Sequence, residues 1–312
     1  RFQSLDIAAS DVLVTSGATE AIAASLLAIV SAGDEVILLE PMYDAYRPLV
    51  ERAGGMARAV TMRPPDWRLP IGEVAAAIGP RTRAIVLNNP NNPTGRLFSR
   101  AELAELAELC VAHDLVAICD EVWEHVVFDG ARHVPMIALP GMAERAVKIG
   151  SAGKIFGLTG WKVGFVVAAP RLLQPITRAH QFLTFTTPPC LQIAVARGLG
   201  LDDDFFARSR TELERSRNYL SALLTAAGFA VLPSEGTYFL TVDLAASGVR
   251  GDDAALARRL VHEAGVASIP LSPFYMSDAA PRGLLRLCFA KPDDILAEAA
   301  GRLGQWLAGR SG

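Results

Sequence analysis

Lysine is scarce in this sequence. Only four of the thirty basic residues are lysines, and two of these, Lys154 and Lys162, fall within one glycine-rich stretch, "SAGKIFGLTGWKVG" (151–164). An amine differs from a guanidinium because it can lose its proton, act as a nucleophile and form a Schiff base with an aldehyde. Two rare amines in one short stretch therefore indicate chemistry that arginine cannot perform, although a plain surface charge would explain either lysine alone.

Other absences narrow the class of protein. The net charge of −3 provides no electrostatic footprint for nucleic acid or for an anionic membrane. The longest apolar run, "AIAASLLAIV" (21–30), has only half of the roughly 20 residues that a membrane-spanning helix needs. The four cysteines show no C-x-x-C spacing, and no signal peptide is recognisable. This favours small buried thiols and a cytoplasmic protein.

Length and apolar pattern predict an α/β protein with two domains. Short apolar runs alternate with amphipathic helical stretches, and five of the runs indicate strands: 34–40, 82–89, 114–120, 145–151 and 162–169. This alternation predicts a buried, mainly parallel sheet sandwiched by helices. Ser99 and Glu102 form a capping-box pattern at the start of the clearest helix. Composition changes near 196–206, so we predict a large domain over 1–200 and a smaller α+β domain over 201–312.

Polar residues follow the predicted strands, where ligands bind in open parallel sheets. Asp120 ends the strand 114–120, either as a cap or ion-pair partner, or as the partner of a cationic ring nitrogen. Two X-Pro dipeptides hold the loop "NPNNPTG" (89–95), so Asn92 belongs either to a plain turn or to a rigid contact with a ligand oxygen. Tyr43 and Tyr46 follow the strand 34–40, either as half-buried packing or as rings on which a flat ligand stacks.

A candidate anion site lies near the start of the chain. In "TSGATEAI" (15–22) a glycine leads into a helix, whose first backbone amides suit a phosphate. This signal is weak alone because glycine-to-helix transitions are common. Ser151 and Lys162 would add a hydroxyl and an ammonium to such a site.

The order and spacing of these signals identify a family resemblance. The chain resembles the class I/II aminotransferases, pyridoxal-phosphate enzymes of fold type I, over essentially all of its length. The stretch 151–164 is similar to the family's cofactor-lysine signature, and three further motifs follow its order: "NPTG" (92–95), "DEVWE" (120–124) and "LLRLCFA" (284–290). Within the family, the chain is most similar to the kynurenine, glutamine and methionine aminotransferases and to the succinyldiaminopimelate aminotransferases.

The resemblance implies a role for each matching residue. Lys154 forms the Schiff base with pyridoxal 5′-phosphate and then moves a proton between the substrate and the cofactor. Asp120 pairs with the ring nitrogen, Asn92 hydrogen-bonds the phenolic oxygen, and Tyr43 stacks on the ring.

The remaining roles concern the phosphate and the substrate. The resemblance implies that Arg286 binds the substrate α-carboxylate, a task for which a guanidinium is suited. The residues implied to hold the phosphate are Ala18, Thr19, Ser151 and Lys162. No residue is expected to bind a metal.

The sequence departs from the family pattern in two places. Trp123 stands where the family usually has a tyrosine whose hydroxyl donates to the phenolic oxygen, so only an indole N–H is available there. The chain begins at Arg1 without a methionine, and the resemblance leads us to expect a further N-terminal segment in the full-length protein. The family also implies a homodimer, because its active sites lie at a subunit interface.

Three functions compete at this point. An aminotransferase that moves an amino group from an L-amino acid to a 2-oxo acid is the first, and its two half-reactions predict ping-pong kinetics. A cysteine-conjugate β-lyase on the same scaffold would use identical residues. A ligand sensor fused to a DNA-binding domain is the third, although no helix-turn-helix or basic segment is present. No second arginine stands out for an acidic side chain, which favours an apolar, aromatic or amide-bearing amino donor.

Overall fold

The first part of the chain alternates strands and helices. In this computed structural model, which describes residues 2–278 and 280–309, the elements of this part are, in chain order, β1 (Val12–Thr15), α1 (Ala18–Ile29), β2 (Glu35–Glu40), α2 (Tyr46–Arg52), β3 (Met56–Thr61), α3 (Ile71–Ala77), β4 (Thr82–Asn88), α4 (Arg100–Ala112), β5 (Val116–Asp120), β6 (Ala146–Ser151), α5 (Ala152–Ile155), β7 (Gly164–Val167), α6 (Pro170–Leu183) and α7 (Pro189–Leu199). Short 3-10 helices lie at Ala9–Asp11, Met136–Ala138 and Thr159–Trp161.

The seven strands of this part form one sheet. Their spatial order is β1-β7-β6-β5-β4-β2-β3, and the five strands from β6 to β3 are parallel. β7 runs antiparallel to both β6 and β1. The predicted mainly parallel sheet is therefore confirmed, and the run 162–169 contributes its antiparallel strand.

Alternate side chains of the strands enter two apolar cores, one on each face of the sheet. Ile37 and Ile85 face the core that also contains Leu103 of α4, whereas Val36 and Val86 face the core that contains α1 and α6. Because helices cover both faces, every residue of β2, β5 and β6 is buried. This explains why these strands are continuous apolar runs in the sequence.

The last part of the chain forms a second, smaller sheet. Its elements are α8 (Asp203–Ala226), β8 (Ala230–Val231), β9 (Phe239–Asp243), α9 (Asp253–Ala264), β10 (Ile269–Pro270), a 3-10 helix at Ser272–Phe274, β11 (Leu284–Cys288) and α10 (Asp293–Ala308). The four strands are antiparallel in the order β10-β11-β9-β8, and helices α8, α9 and α10 pack on them in a separate apolar core.

The long helix α8 begins next to the predicted domain boundary. However, Leu271, Phe274 and Tyr275 pack into a core of the large sheet, and the Glu40 carboxylate at the end of β2 accepts hydrogen bonds from Met276 and Ser277. The division at residue 200 stays a prediction.

Helix α4 begins with the predicted capping box. The Ser99 side chain accepts from the Glu102 N–H at 3.2 Å, and the Glu102 carboxylate accepts from the Ser99 N–H at 2.8 Å. None of the described helices combines the length and the hydropathy that a bilayer crossing requires.

Candidate active site

A cavity of about 810 Å³ opens at the carboxyl ends of β4, β5 and β6. Parallel neighbours end at the same edge of a sheet, so residues that are distant in sequence meet there. Arg286 of the smaller sheet also reaches this cavity. All ten residues singled out from the sequence line it: Ala18, Thr19, Tyr43, Asn92, Asp120, Trp123, Ser151, Lys154, Lys162 and Arg286. The structure thus brings them together, while their individual roles stay predictions.

Asp120 is the last residue of β5 and is almost completely buried. Its carboxylate accepts a hydrogen bond from the Tyr46 hydroxyl at 2.5 Å and a longer one from the Val122 N–H at 3.4 Å. Burial raises the pKa of Asp120 to about 6, although the Tyr46 hydrogen bond opposes this rise. A carboxylate held in this way is suited to a buried cationic partner. Tyr46 was not recognised as its partner from the sequence.

The predicted anion site lies at the first turn of α1. Gly17 precedes this turn with a φ of 84°, a left-handed conformation that favours glycine, and no side chain caps the helix. Gly164 of β7 packs against this turn so closely that a Cβ would lie 2.7 Å from the Ala18 nitrogen. Ala18 and Thr19, the first two residues of this 12-residue helix, line the cavity at the positive end of the helix dipole.

Lys162 and Ser151 complete the polar lining of this end. Lys162 has a φ of 52°, and its Cδ would lie 3.7 Å from a Cβ placed on Gly17, so the side chain passes beside the first turn of α1. Ser151 ends β6 and is buried. Backbone amides, a hydroxyl and an ammonium together fit a phosphate group.

Lys154 lies on α5, the single helical turn that follows β6. Its Nζ donates a hydrogen bond to the Tyr238 hydroxyl at 3.2 Å. The ring centroid of Trp123 lies 4.9 Å from Nζ, and that of Tyr238 lies 5.5 Å away. Gly153 lets the next loop approach, because a Cβ there would lie 3.0 Å from the Thr159 Cα. The amine thus projects into the cavity from a tightly packed turn.

Arg286 of β11 enters the cavity from the smaller sheet. Its guanidinium lies between aromatic rings, 3.9 Å from the Phe239 centroid and 5.0 Å from the Phe274 centroid. Burial lowers the pKa of Arg286 from its ordinary value. One Nη donates to the Asn92 Oδ1 at 2.5 Å, while the buried Nε has no hydrogen-bond partner among the described residues. The guanidinium lines the cavity and carries a fork of N–H donors of the kind that binds a carboxylate.

The side-chain amide of Asn88, the last residue of β4, holds the loop that carries Asn92. The Asn92 N–H donates to the Asn88 Oδ1 at 2.6 Å, and Asn88 in turn donates to the Asp120 carbonyl at 2.9 Å. This links the ends of β4 and β5. Tyr43 lines the same part of the cavity, with its ring 5.7 Å from that of Tyr46 in an edge-to-face arrangement.

A second polar cluster lies behind the site and was not foreseen from the sequence. The Lys148 Nζ lies 3.1 Å from Glu121 and 2.5 Å from Glu124, and all three side chains are at least 90% buried. Burial opposes the charge of Lys148, but the two carboxylates outweigh it and raise its pKa. Burial lowers the pKa of the neighbouring His133 to about 4, so its ring is neutral at pH 7. This network anchors the segment that carries Asp120 and Trp123.

The site as a whole fits pyridoxal phosphate. A buried carboxylate meets the needs of a protonated ring nitrogen, the α1 N-terminus meets those of a phosphate, and a lysine amine in the same cavity meets those of an aldehyde. A seven-stranded sheet that carries such a site, with a smaller antiparallel sheet beside it, defines a fold-type-I pyridoxal-phosphate enzyme.

Comparisons with known proteins agree with this class. The family described as aminotransferase class I and II matches residues 2–303, and the chain belongs to that family. Methionine aminotransferase of Escherichia coli is 40% identical over 296 residues, which are 95% of this chain and 76% of that protein. Kynurenine–oxoglutarate transaminase 1 of rat is 36% identical in a gapped alignment of 327 positions that covers 95% of this chain and 77% of that protein.

A solved structure supports the same conclusion. N-succinyldiaminopimelate aminotransferase from Mycobacterium tuberculosis has a TM-score of 0.95 and 43% identity, covering 98% of this chain and 80% of that one. The resemblance recognised in the motifs is confirmed. The chain is thus a pyridoxal-phosphate-dependent aminotransferase that acts on amino acids and 2-oxo acids, and the β-lyase alternative is not favoured.

Proposed function

We propose that Lys154 is the catalytic amine of this aminotransferase. Asp120 would be the charged partner of the cofactor ring nitrogen, and Arg286 that of the substrate carboxylate. The observation that carries the proposal is that one cavity contains all three side chains and the first turn of α1. Pyridoxal phosphate, when bound, supplies an aldehyde and a ring that withdraws electrons from the reacting carbon. Lys154 would hold the cofactor through that aldehyde, with release of water. As a free amine, Lys154 would take and carry the proton of the substrate Cα.

The other cavity residues would hold the cofactor. Asp120 would keep a proton on the ring nitrogen, since its buried carboxylate is stabilised by a cation. Asn92 would contact the phenolic oxygen, and Tyr43 would pack on the ring. The side chain of Trp123 would lie beside the reacting carbon, because its ring faces Lys154.

The phosphate would bind at the α1 N-terminus. Ala18 and Thr19 would donate their backbone amides, Ser151 a hydroxyl, and Lys162 an ammonium charge. These contacts would orient the cofactor with its aldehyde toward Lys154.

We propose an apolar, aromatic or amide-bearing amino acid as the donor. The cavity lining next to Arg286 is aromatic and aliphatic, with Phe239, Phe274 and Ile269 on this side. Among the described residues that line the cavity, no arginine other than Arg286 is present to bind an acidic side chain. Methionine and kynurenine, which two of the relatives are named for, have side chains of the proposed kind.

An absorbance experiment tests the proposed reaction. Protein supplied with pyridoxal phosphate is expected to show a long-wavelength band that bleaches when glutamine or methionine is added and returns when a 2-oxo acid follows. Glutamate formed from 2-oxoglutarate measures turnover. Release of pyruvate and ammonia from a cysteine conjugate, without glutamate formation, would instead support the lyase and contradict the proposal.

Replacing Arg286 tests how the substrate carboxylate is bound. Arg286→Ala is expected to raise the KM for amino donors by about 100-fold, because it removes a partly buried, charge-assisted contact with the substrate. The affinity for pyridoxal phosphate is expected to change less, since Arg286 is not one of the residues proposed to hold the phosphate. Arg47→Ala, which removes an exposed arginine paired with Glu51, is the matched control. An unchanged KM in Arg286→Ala would mean that the carboxylate binds elsewhere.

We also propose a homodimer. An apolar surface beside the cavity exposes Phe182 by 86%, Phe185 by 73% and Ile193 by 60%. Exposure of this kind marks an interaction surface. The surface continues into the site, because Thr187 contacts Ser16, which lines the cavity, at 3.5 Å. Sedimentation velocity is expected to show a dimer that Phe185→Asp weakens, and a wild-type monomer at micromolar concentration would exclude it.

We propose that the protein works in the cytoplasm. All four cysteines are free, and two of them, Cys110 and Cys119, are buried in the large core, as expected in a reducing compartment. Fractionation of cells that express the full-length protein tests this, and recovery from an extracytoplasmic fraction would contradict it.

A further inference from the structure

The Lys154 amine has one hydrogen-bond partner among the described residues, and it is the hydroxyl of Tyr238. The Tyr238 hydroxyl accepts from the Lys154 Nζ at 3.2 Å, across 84 residues of sequence. Tyr238 belongs to the turn before β9, so it reaches the amine from the smaller sheet, on the same side as Arg286. A lysine side chain has four rotatable bonds, and a single fixed acceptor therefore limits where its amine points.

The Tyr238 ring is itself held in place. It packs edge-to-face on Trp123, with centroids 4.4 Å apart and an interplanar angle of 90°, and on Phe239, with centroids 4.5 Å apart. The Tyr238 carbonyl accepts from the Phe289 N–H at 3.0 Å. A side chain fixed on two faces and at its backbone presents its hydroxyl in one orientation.

The preceding residues also constrain this turn. Thr237 is fully buried with a φ of 68°, a left-handed conformation that is uncommon for a β-branched residue. Its N–H donates to the Val126 carbonyl at 3.0 Å, and its hydroxyl accepts from the Phe239 N–H at 3.1 Å. Gly236 lies against Pro90, so a Cβ there would approach the proline ring to 2.8 Å. Such over-determined backbone is typical of functional positions.

Trp123 does not duplicate this contact. Its ring lies 4.9 Å from the Lys154 Nζ and is 2% exposed, so it offers an aromatic surface to the amine and no hydroxyl. The hydroxyl contact of the amine therefore comes from Tyr238.

We propose that Tyr238 is a positioning residue for Lys154, whose hydroxyl holds the amine in the orientation from which it reaches the substrate Cα. This inference rests on the proposed role of Lys154. A misplacement of about 1 Å at a reacting group can slow a reaction by about 100-fold, so one orienting hydrogen bond has a measurable effect on rate.

The variant Tyr238→Phe tests this, because it keeps the ring and removes only the hydroxyl. In the cofactor-loaded enzyme, kcat is expected to fall by about 10- to 100-fold, with the KM for the amino donor within about twofold of wild type. Tyr219→Phe is the matched control, since Tyr219 packs against the core of the smaller sheet outside the cavity. We expect wild-type kinetics from it.

A second measurement, ¹³C NMR, reports the environment of the Lys154 amine without any turnover of substrate. Cofactor-free protein labelled with ¹³C at lysine Cε gives four signals, because the chain has four lysines. Lys154→Arg assigns the signal of interest. At constant pH, Tyr238→Phe is expected to move the Lys154 signal and to leave those of Lys148 and Lys291 in place.

Two results would overturn the inference. An unmoved Lys154 signal would show that the hydroxyl does not position the amine. A rise in KM that accounts for the whole loss of kcat/KM would mean that Tyr238 contacts the substrate instead. Both results are compared with a wild-type enzyme that shows transamination. If the wild type shows no transamination, the proposed function itself is refuted.

Discussion

The variant Lys154→Ala is expected to lose steady-state transamination, with kcat at least about 10⁴-fold below wild type, because general acid–base transfer alone contributes about 10²- to 10⁴-fold. The same substitution also removes the only nucleophile that this turn offers to the cofactor aldehyde. The fold is expected to persist, since the Lys154 side chain makes a single hydrogen bond, to Tyr238, whose net contribution is about 1 kcal/mol.

Two further variants make this result specific. Lys154→Arg keeps the positive charge but cannot act as a base, because a guanidinium stays protonated, so it is expected to be as inactive as the alanine variant. Lys291→Ala removes an exposed lysine outside the cavity and should match wild type. The measurements are glutamate formation, the absorbance band and thermal unfolding. Appreciable turnover by either Lys154 variant would refute the catalytic assignment.

The variant Asp120→Asn is expected to separate activity from stability. Activity should fall by about 10²- to 10³-fold, because the charge proposed to keep a proton on the cofactor ring nitrogen is lost. The cofactor-free protein, in contrast, should become more stable at pH 7 by about 1 to 3 kcal/mol. Burial raises the pKa of Asp120 from 3.8 to about 6, so the ionised carboxylate is disfavoured in the folded state.

The pH dependence follows from the direction of this shift. Below about pH 4 the group is protonated in both the folded and the unfolded state, and its full contribution to stability is present. As the pH rises through about 6, the unfolded chain releases the proton first and this contribution is lost. The stability difference between Asp120→Asn and wild type should therefore be small at pH 4 and largest above pH 7.

Denaturant unfolding of both cofactor-free proteins at several pH values measures this difference. Asp120→Ala is the control, because it removes the charge but leaves the Tyr46 hydroxyl without its acceptor, and it should gain less stability than the asparagine variant. A wild type that is more stable than Asp120→Asn above pH 7 would show that Asp120 has another charged partner in the cofactor-free fold.

The order of the elements and the identity of the main site residues follow from the sequence by itself. Apolar runs such as 34–40 and 114–120 predict buried parallel strands, because only strands covered on both faces need to be apolar throughout. The residues that follow such strands must lie at one edge of the sheet. This local logic, together with the motif order, predicted Lys154, Asp120 and Arg286 as site residues, and the three line one cavity in the structure.

Only the tertiary structure decided which side chains touch these residues. Tyr46 meets Asp120 across 74 residues, and Tyr238 meets Lys154 across 84. Neither pair has a fixed spacing in sequence, because each depends on how separate elements pack against one another. The reversed direction of β7 and the buried partners of Lys148 were likewise hidden. The apolar pattern of a strand has the same period whichever way the strand runs, so it does not reveal the direction. The identity of a residue as lysine does not show whether its amine is buried beside two carboxylates.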